Sequence, residues 1–356
     1  RFPGGASLSQ WWEGLKRGES FITEVPPERW PLTGFYFEDT NQAIEQHGSY
    51  SKWGGFLDGV ADFDPLFFNM TPNEAATTDP QERLFLEECW KALEDAGYAP
   101  TMLSDRVRHG TGVFGGITKQ GFSLNSSATG QVCTTSFSSC VNRVSHMLNL
   151  RGPCLPVDTM CSSALVAIHE ACEYLRSGQG EMALAGAVNL YLHPSTYKVL
   201  SSNRLMSTSA DAQVFGANGD GFVPGEGVGV IVLKSLAQAE ADGDHIHGVI
   251  CGSAFNHSGR TNGYMTPSAG PQQEAISAAL ASNQIDPRSI SYIESAANGS
   301  LVSDAVEMSA LTRAFAGRTG TSGRYSLGTL KGQVGHGEAV SGMAQLFKVL
   351  FSLRDA

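Results

Sequence analysis

Two periodicities alternate along this chain: apolar runs of roughly strand length, and longer stretches in which apolar residues recur every three or four positions. From Asp79, DPQERLFLEECWKALEDAGY carries Leu86, Cys89, Trp90 and Leu93 at helical spacing. Asp79 is an N-cap candidate, Pro80 suits the first helical position and Gly97 marks a stop, so the segment predicts a helix. GTGVFGGI (110–117), EMALAGAVNLYL (181–192), GVGVIVLKSL (227–236) and HIHGVICGSAF (245–255) read as strands. Runs this continuous suit strands covered on both faces by helices, which predicts an α/β class built in several layers.

Two places repeat one design. GPCLPVDTMCSS (152–163) is an extended segment running into a helix with Ala164, Leu165, Ile168, Ala171, Cys172 and Leu175 on one face. YSLGTLKGQVGHGEA (325–339) leads likewise into Met343, Leu346, Phe347, Leu350 and Phe351 at helical spacing. Each puts a reactive side chain, Cys161 or His336, just before a helix N-terminus, which suggests two related halves meeting at one site.

Composition narrows the possibilities. With 356 residues, 41% hydrophobic and 17% charged, the chain can bury a large core in one or two globular units. A formal net charge of −11 argues against nucleic acid as a partner, because phosphate neutralisation needs clustered Lys and Arg. No apolar run reaches bilayer-spanning length and no signal peptide opens the chain, so no membrane partner is expected and the reading is soluble and cytoplasmic. The seven cysteines (Cys89, Cys133, Cys140, Cys154, Cys161, Cys172, Cys251) are odd in number and include no C-x-x-C pair, which supports neither a disulfide framework nor a zinc site.

Cys161 is the nucleophile candidate. A thiol at a helix start feels the positive end of the macrodipole and unpaired N–H groups, which favour the thiolate and could hold the oxyanion of an attacked thioester. A buried structural role is the alternative, and it is retained for the other six cysteines.

The segment VDTMCSSALVAIHEACEYLRSG resembles the active-site elbow of β-ketoacyl synthases. RFPGGAS, FFNMTPNEAATTDPQERLFLEECWKALEDAGY, GDGFVPGEGVGVIVLK, NHSGRTNGYMTPS and GTLKGQVGHGEAVSGM resemble, in order, ketosynthase domains of modular polyketide synthases. The resemblance implies a thiolase-like fold of two related halves in a layered α-β-α-β-α arrangement. It implies one ketosynthase domain over 1–356, with 1–240 the N-terminal half with insertions and 241–356 part of the C-terminal half. It also implies truncation at both ends, since such domains open with an apolar strand and continue through further strands and a glycine-rich turn of the oxyanion site.

In this family the cysteine takes an acyl group from the phosphopantetheine of an acyl carrier protein. A malonyl-type carrier substrate then loses carbon dioxide and its carbanion attacks the acyl-cysteine, with two histidines stabilising charge. The resemblance therefore implies no bound cofactor and no metal, and as partners the acyl carrier protein, other polyketide synthase domains and a second copy in a homodimer. Carried over by motif, Cys161 matches the nucleophile, His336 the second histidine, Lys331 an ordering lysine and Glu307 its acidic partner; Lys331 and Glu307 also suit a buried structural ion pair.

The first histidine belongs to EAHGTGT-x-x-GDPIE, and laying ESAANGSLVSDAVE (294–307) on that pattern puts Ala296 at its position. Asn298, Ser300, Ser303 and Ala305 depart from the pattern too, whereas Gly299, Asp304 and Glu307 persist. Loss of one positioned charge-stabilising group typically costs about 10² to 10⁴ in rate. The expectation is a domain that transfers acyl chains on Cys161 without extending them. The alternatives are condensation with a substitute for the histidine, for which His257 is a better candidate than His169, and a silent docking and dimerisation scaffold.

Overall fold

The computed structural model of the protein describes residues 1–5, 7–125, 136–316 and 325–355. Four strands, β1 (Thr111–Gly116), β2 (Cys154–Val157), β3 (Met182–Asn189) and β4 (Gly227–Leu233), form one sheet in the order β2-β1-β3-β4. The first three run parallel, with Val113 opposite Cys154 and Leu184, and β4 returns antiparallel beside β3.

The two faces of this sheet differ in side-chain size, and that difference places the site. Along β3, Met182, Leu184 and Val188 point one way, into a core filled by α1 (Pro80–Asp95) and α2 (Phe137–Leu148) through Leu84, Phe85, Leu93, Val141 and Val144. The alternate residues Ala183, Ala185 and Ala187 point the other way, against Ala164, Ala167 and Ala171 of α3 (Ser163–Arg176). Alanine on both surfaces lets that helix lie close to the sheet, and α3 is the helix that follows Cys161. The helix expected from Asp79 is present: Asp79 accepts the Gln81 N–H at 2.9 Å, and Gly97 follows the last turn with φ +80°.

In the second half, α4 (Ala269–Ala281) packs on α5 (Leu301–Ala314), and the parallel strands β5 (Tyr292–Glu294) and β6 (Ser326–Gly328) pair at Ile293 and Leu327. Helix α6 (Ser341–Arg354) then joins α3 in the same core through Met343 and Ala344. One expected strand is absent: HIHGVICGSAF over 245–255 adopts no strand, and Val249 and Phe255 are exposed. Its apolar alternation gives an extended segment, but a ladder needs a neighbouring edge to bond to, and none of the described strands pairs with it. Among the described residues, no helix is long and apolar enough to cross a membrane.

A buried ion pair ties the N-terminal region to β4. Glu226, just before that strand, accepts hydrogen bonds from Arg29 Nη2, the Leu57 N–H and the Tyr191 N–H, each at 2.8 Å, and its side chain is fully buried. Removing one member of such a pair leaves the other charge buried and uncompensated. Glu226→Ala is therefore expected to destabilise the fold by about 3–5 kcal/mol, read as a lower denaturant midpoint.

Candidate active site

Two tight elbows, one in each half, build the site. Leaving β2, the chain turns at Met160, whose φ of +55° is unusual for a residue with a side chain. Asp158 accepts the Met160 N–H at 3.2 Å; Ser163 Oγ accepts the Thr159 N–H at 2.9 Å and donates to the Met160 carbonyl at 2.7 Å. These bonds hold Cys161 in the 3₁₀ turn Met160–Ser162, immediately ahead of α3. The second half repeats the turn: Glu338 has φ +44°, a 3₁₀ turn spans Glu338–Val340, and α6 begins at Ser341. Counted from the helix starts, the counterpart of Cys161 is Ala339. His336 thus sits further ahead of its helix than the sequence pattern suggests.

His336 is buried and fixed from several sides. Its N–H donates to the Val223 carbonyl at 2.7 Å, its carbonyl accepts the Gly225 N–H at 2.9 Å, and the Phe222 ring meets the imidazole edge-on with centroids 5.0 Å apart. The segment GDGFVPGEG thereby becomes part of the site. The preceding Gly335, at φ +79°, lies so close to this segment that a Cβ would come within 2.7 Å of the Pro224 carbonyl oxygen. Held this way, His336 places Nε2 3.2 Å from Cys161 Sγ, while Nδ1 is 2.8 Å from Ser341 Oγ.

The electrostatics favour a neutral pair at rest. Burial, followed by the charges of Lys331 and Lys119, holds the His336 imidazole well below the usual histidine range. Burial and then Glu338 push the Cys161 thiol up, against the opposing pull of Lys331 and Lys119. The resting thiolate expected from the helix terminus is thus outweighed by desolvation. Cys161 is nevertheless exposed as a residue. The dense surroundings of the sulfur govern its proton, and the open side governs access to it.

Lys331, Glu307 and Ala296 meet through one peptide. Lys331 is buried and its Nζ donates to the Ala296 carbonyl at 2.6 Å; the Ala296 N–H donates to Glu307 Oε1 at 2.7 Å. Among the described residues Lys331 and Glu307 form no direct ion pair, so the acid reaches the lysine by way of the Ala296 backbone. Burial lowers the Lys331 pKa and raises that of Glu307. Asp304 organises the rest of the turn, accepting the N–H groups of Asn298, Gly299 and Phe215 at 3.0, 3.1 and 2.9 Å. Gly299, at φ +96°, packs where a Cβ would come within 2.8 Å of the Gly221 carbonyl oxygen. The side chain at position 296 is a methyl group at an exposed position.

Among the described residues, His336 is the histidine hydrogen-bonded to the sulfur. His169 Nδ1 lies 2.9 Å from Ser253 Oγ, with its ring against Phe255. His257 accepts the Gly259 N–H of its own exposed loop at 2.8 Å. Of the remaining cysteines, Cys89, Cys140 and Cys172 are buried, Cys154 is partly buried, Cys251 is exposed, and Cys133 lies outside the described residues.

The chain that carries this arrangement has matches among known proteins. The β-ketoacyl synthase N-terminal domain matches residues 1–239 and the β-ketoacyl synthase C-terminal domain residues 247–356. The chain belongs to the β-ketoacyl synthase family. Polyketide synthase ThaQ of Burkholderia thailandensis is 49% identical over 355 residues, an alignment covering 100% of this chain and 17% of ThaQ. Polyketide synthase PksL of Bacillus subtilis is 40% identical over 364 residues, covering 99% and 8% respectively.

Among solved structures, the oxazolomycin ketosynthase domain OzmH KS7 of Streptomyces albus JA3453 superposes with a TM-score of 0.95 at 40% identity, over 100% of this chain and 62% of that one. The ketosynthase from module 6 of the bacillaene synthase of Bacillus subtilis 168 gives a TM-score of 0.90 at 37% identity, over 100% and 60%. The chain thus spans less than two thirds of these solved ketosynthases and a small share of the curated relatives. It is a polyketide-synthase ketosynthase domain with the thiolase-like fold and its two halves. Several site residues of this ketosynthase had escaped sequence reasoning. Ser341 and Glu338 lie inside a quoted motif but have no reactive pattern of their own, while Lys119 and Tyr191 carry no local signal at all.

Proposed function

We propose that this ketosynthase domain takes an acyl chain from the phosphopantetheine thiol of an upstream acyl carrier protein onto Cys161 and passes it to a downstream carrier without decarboxylative extension. The observation that carries this reading is the 3.2 Å approach of His336 Nε2 to Cys161 Sγ beside an anchored turn whose residue 296 offers only a methyl group. As the sulfur attacks the thioester carbonyl, its proton passes to the neutral imidazole. When the carbon–sulfur bond to phosphopantetheine breaks, the leaving thiolate takes up that proton, and the acyl group remains on Cys161. Handing the chain to the next carrier is the same exchange in reverse, and needs neither a carbanion nor a resident cofactor.

Decarboxylation makes a different demand. Negative charge then develops on the extender's thioester oxygen, which the family stabilises with two imidazoles, and at position 296 this chain offers a methyl group in place of one of them. A second copy of the chain in a homodimer, and other polyketide synthase domains as partners, fit the resemblance and belong to the same proposal.

The test loads Cys161 with a chain-mimic thioester, adds malonyl-loaded carrier, and follows both species by mass spectrometry. The expected products are acyl-Cys161 and the unchanged chain on carrier thiol. Efficient appearance of the two-carbon-extended ketone overturns the reading; a Cys161 that never acylates, indistinguishable from Cys161→Ala, turns it into a docking scaffold.

A further inference from the structure

Behind the reacting pair lies a buried ion pair that no motif of the sequence predicts. Lys119, three residues past the end of β1, places Nζ 2.8 Å from Glu338 Oε2, with both side chains almost wholly buried. The other carboxylate oxygen of Glu338 accepts the hydroxyl of the fully buried Tyr191, and Lys119 Nζ lies 5.5 Å from that ring's centroid. Glu338 is the residue at φ +44° that opens the second elbow, two positions after His336 and three before Ser341. A bulky acid in a left-handed conformation is strained, and it persists where its surroundings hold it in place. The two contacts on its carboxylate come from the same end of the first-half sheet, Lys119 from beyond β1 and Tyr191 from beyond the neighbouring parallel strand β3.

We propose that Lys119 and Glu338 are a matched charge pair that positions the Cys161–His336 couple and balances the charge it experiences during acyl transfer. They are positioning residues, since neither touches the sulfur. The geometry makes the balance specific. In the first step of acylation a neutral thiol and a neutral imidazole become a thiolate and an imidazolium, so any net charge nearby acts in opposite senses on the two. The charged groups acting on Cys161 are Glu338, Lys331 and Lys119, and those acting on His336 are Lys331 and Lys119. Lys331 is itself held against the Ala296 carbonyl and faces Glu307, Asp304 and Glu294, while Tyr191 and the neighbouring Tyr197 keep their protons through burial. Glu338 is therefore the anion that offsets the second of two buried lysines around the couple.

This inference rests on Cys161 and His336 being the reacting pair, but its test needs no acyl substrate, so the two readings fail separately. The rate of Cys161 alkylation by iodoacetamide is followed against pH on the intact chain, with the Cys161 peptide resolved by mass spectrometry from the exposed Cys251. Glu338→Gln leaves Lys119 unopposed and is expected to move the midpoint of the profile down by about one pH unit; Lys119→Met leaves Glu338 unopposed and moves it up by a similar amount. The double variant, neutral at both positions, returns the midpoint close to that of the unaltered chain. Shifts of both single variants in one direction, or unchanged midpoints in variants that retain their far-ultraviolet circular dichroism, overturn the proposal. Where Glu338→Gln does not fold, Lys119→Met decides alone: an upward midpoint supports the pair, and an unmoved one refutes it.

Discussion

Replacing His336 by alanine is expected to slow acylation of Cys161 by about 10²- to 10⁴-fold, the usual cost of removing a positioned proton acceptor. The size follows from the resting state of the couple. Burial keeps the thiol protonated at neutral pH, and the buried imidazole 3.2 Å away is neutral and able to take the proton as the sulfur attacks. The direction of the pH dependence follows from the same two shifts. The thiol lies above the ordinary cysteine range and the pair stays neutral across neutral pH, so wild-type acylation through the imidazole is level there. The imidazole lies well below 6.5, so loss of activity through its protonation begins only on the acid side of that value. In His336→Ala the imidazole contribution vanishes, and what remains tracks the thiolate fraction alone, climbing about tenfold per pH unit below the thiol's pKa. Single-turnover acyl loading measured across neutral pH checks both statements. A variant that loses rate without this change in slope would mean that His336 only supports the fold around the sulfur.

Ala296→His is expected to raise formation of the extended ketone by about 10²-fold or more, with acyl loading of Cys161 little changed. The expectation depends on how the turn is held. Lys331 and Glu307 grip the backbone of residue 296, and Asp304 grips the N–H groups of Asn298 and Gly299, so the anchors survive a change of side chain. Position 296 is also exposed, which leaves room for an imidazole. The measurement is the ratio of extended ketone to unchanged acyl chain after malonyl-loaded carrier is added to the acyl-enzyme. A ratio unmoved by the substitution would place the block on extension elsewhere, with Asn298, Ser300, Ser303 and Ala305 next to be examined.

What the sequence determined by itself was mostly local. The helix from Asp79, the buried strands at 111–116, 182–189 and 227–233, and the cysteine elbow all follow from spacing within some twenty residues, because caps, turn residues and side-chain periodicity act at short range. Cys161, His336, Lys331 and Glu307 were singled out by the resemblance to ketosynthases, each inside one contiguous motif. The strand read at 245–255 was not realised, since alternation specifies an extended backbone but not the neighbour that would turn it into a ladder.

The chemistry of the site was decided by tertiary structure. A helix terminus argues locally for a thiolate, whereas the density around Cys161 argues more strongly for a thiol, and only the packed molecule contains that density. Lys331 meets Glu307 through the Ala296 peptide, and Lys119 meets Glu338 across 219 positions of chain. Burial and charge pairing depend on distance in space, and residues that far apart in sequence come within 3 Å only after the sheet and its helices have closed around them.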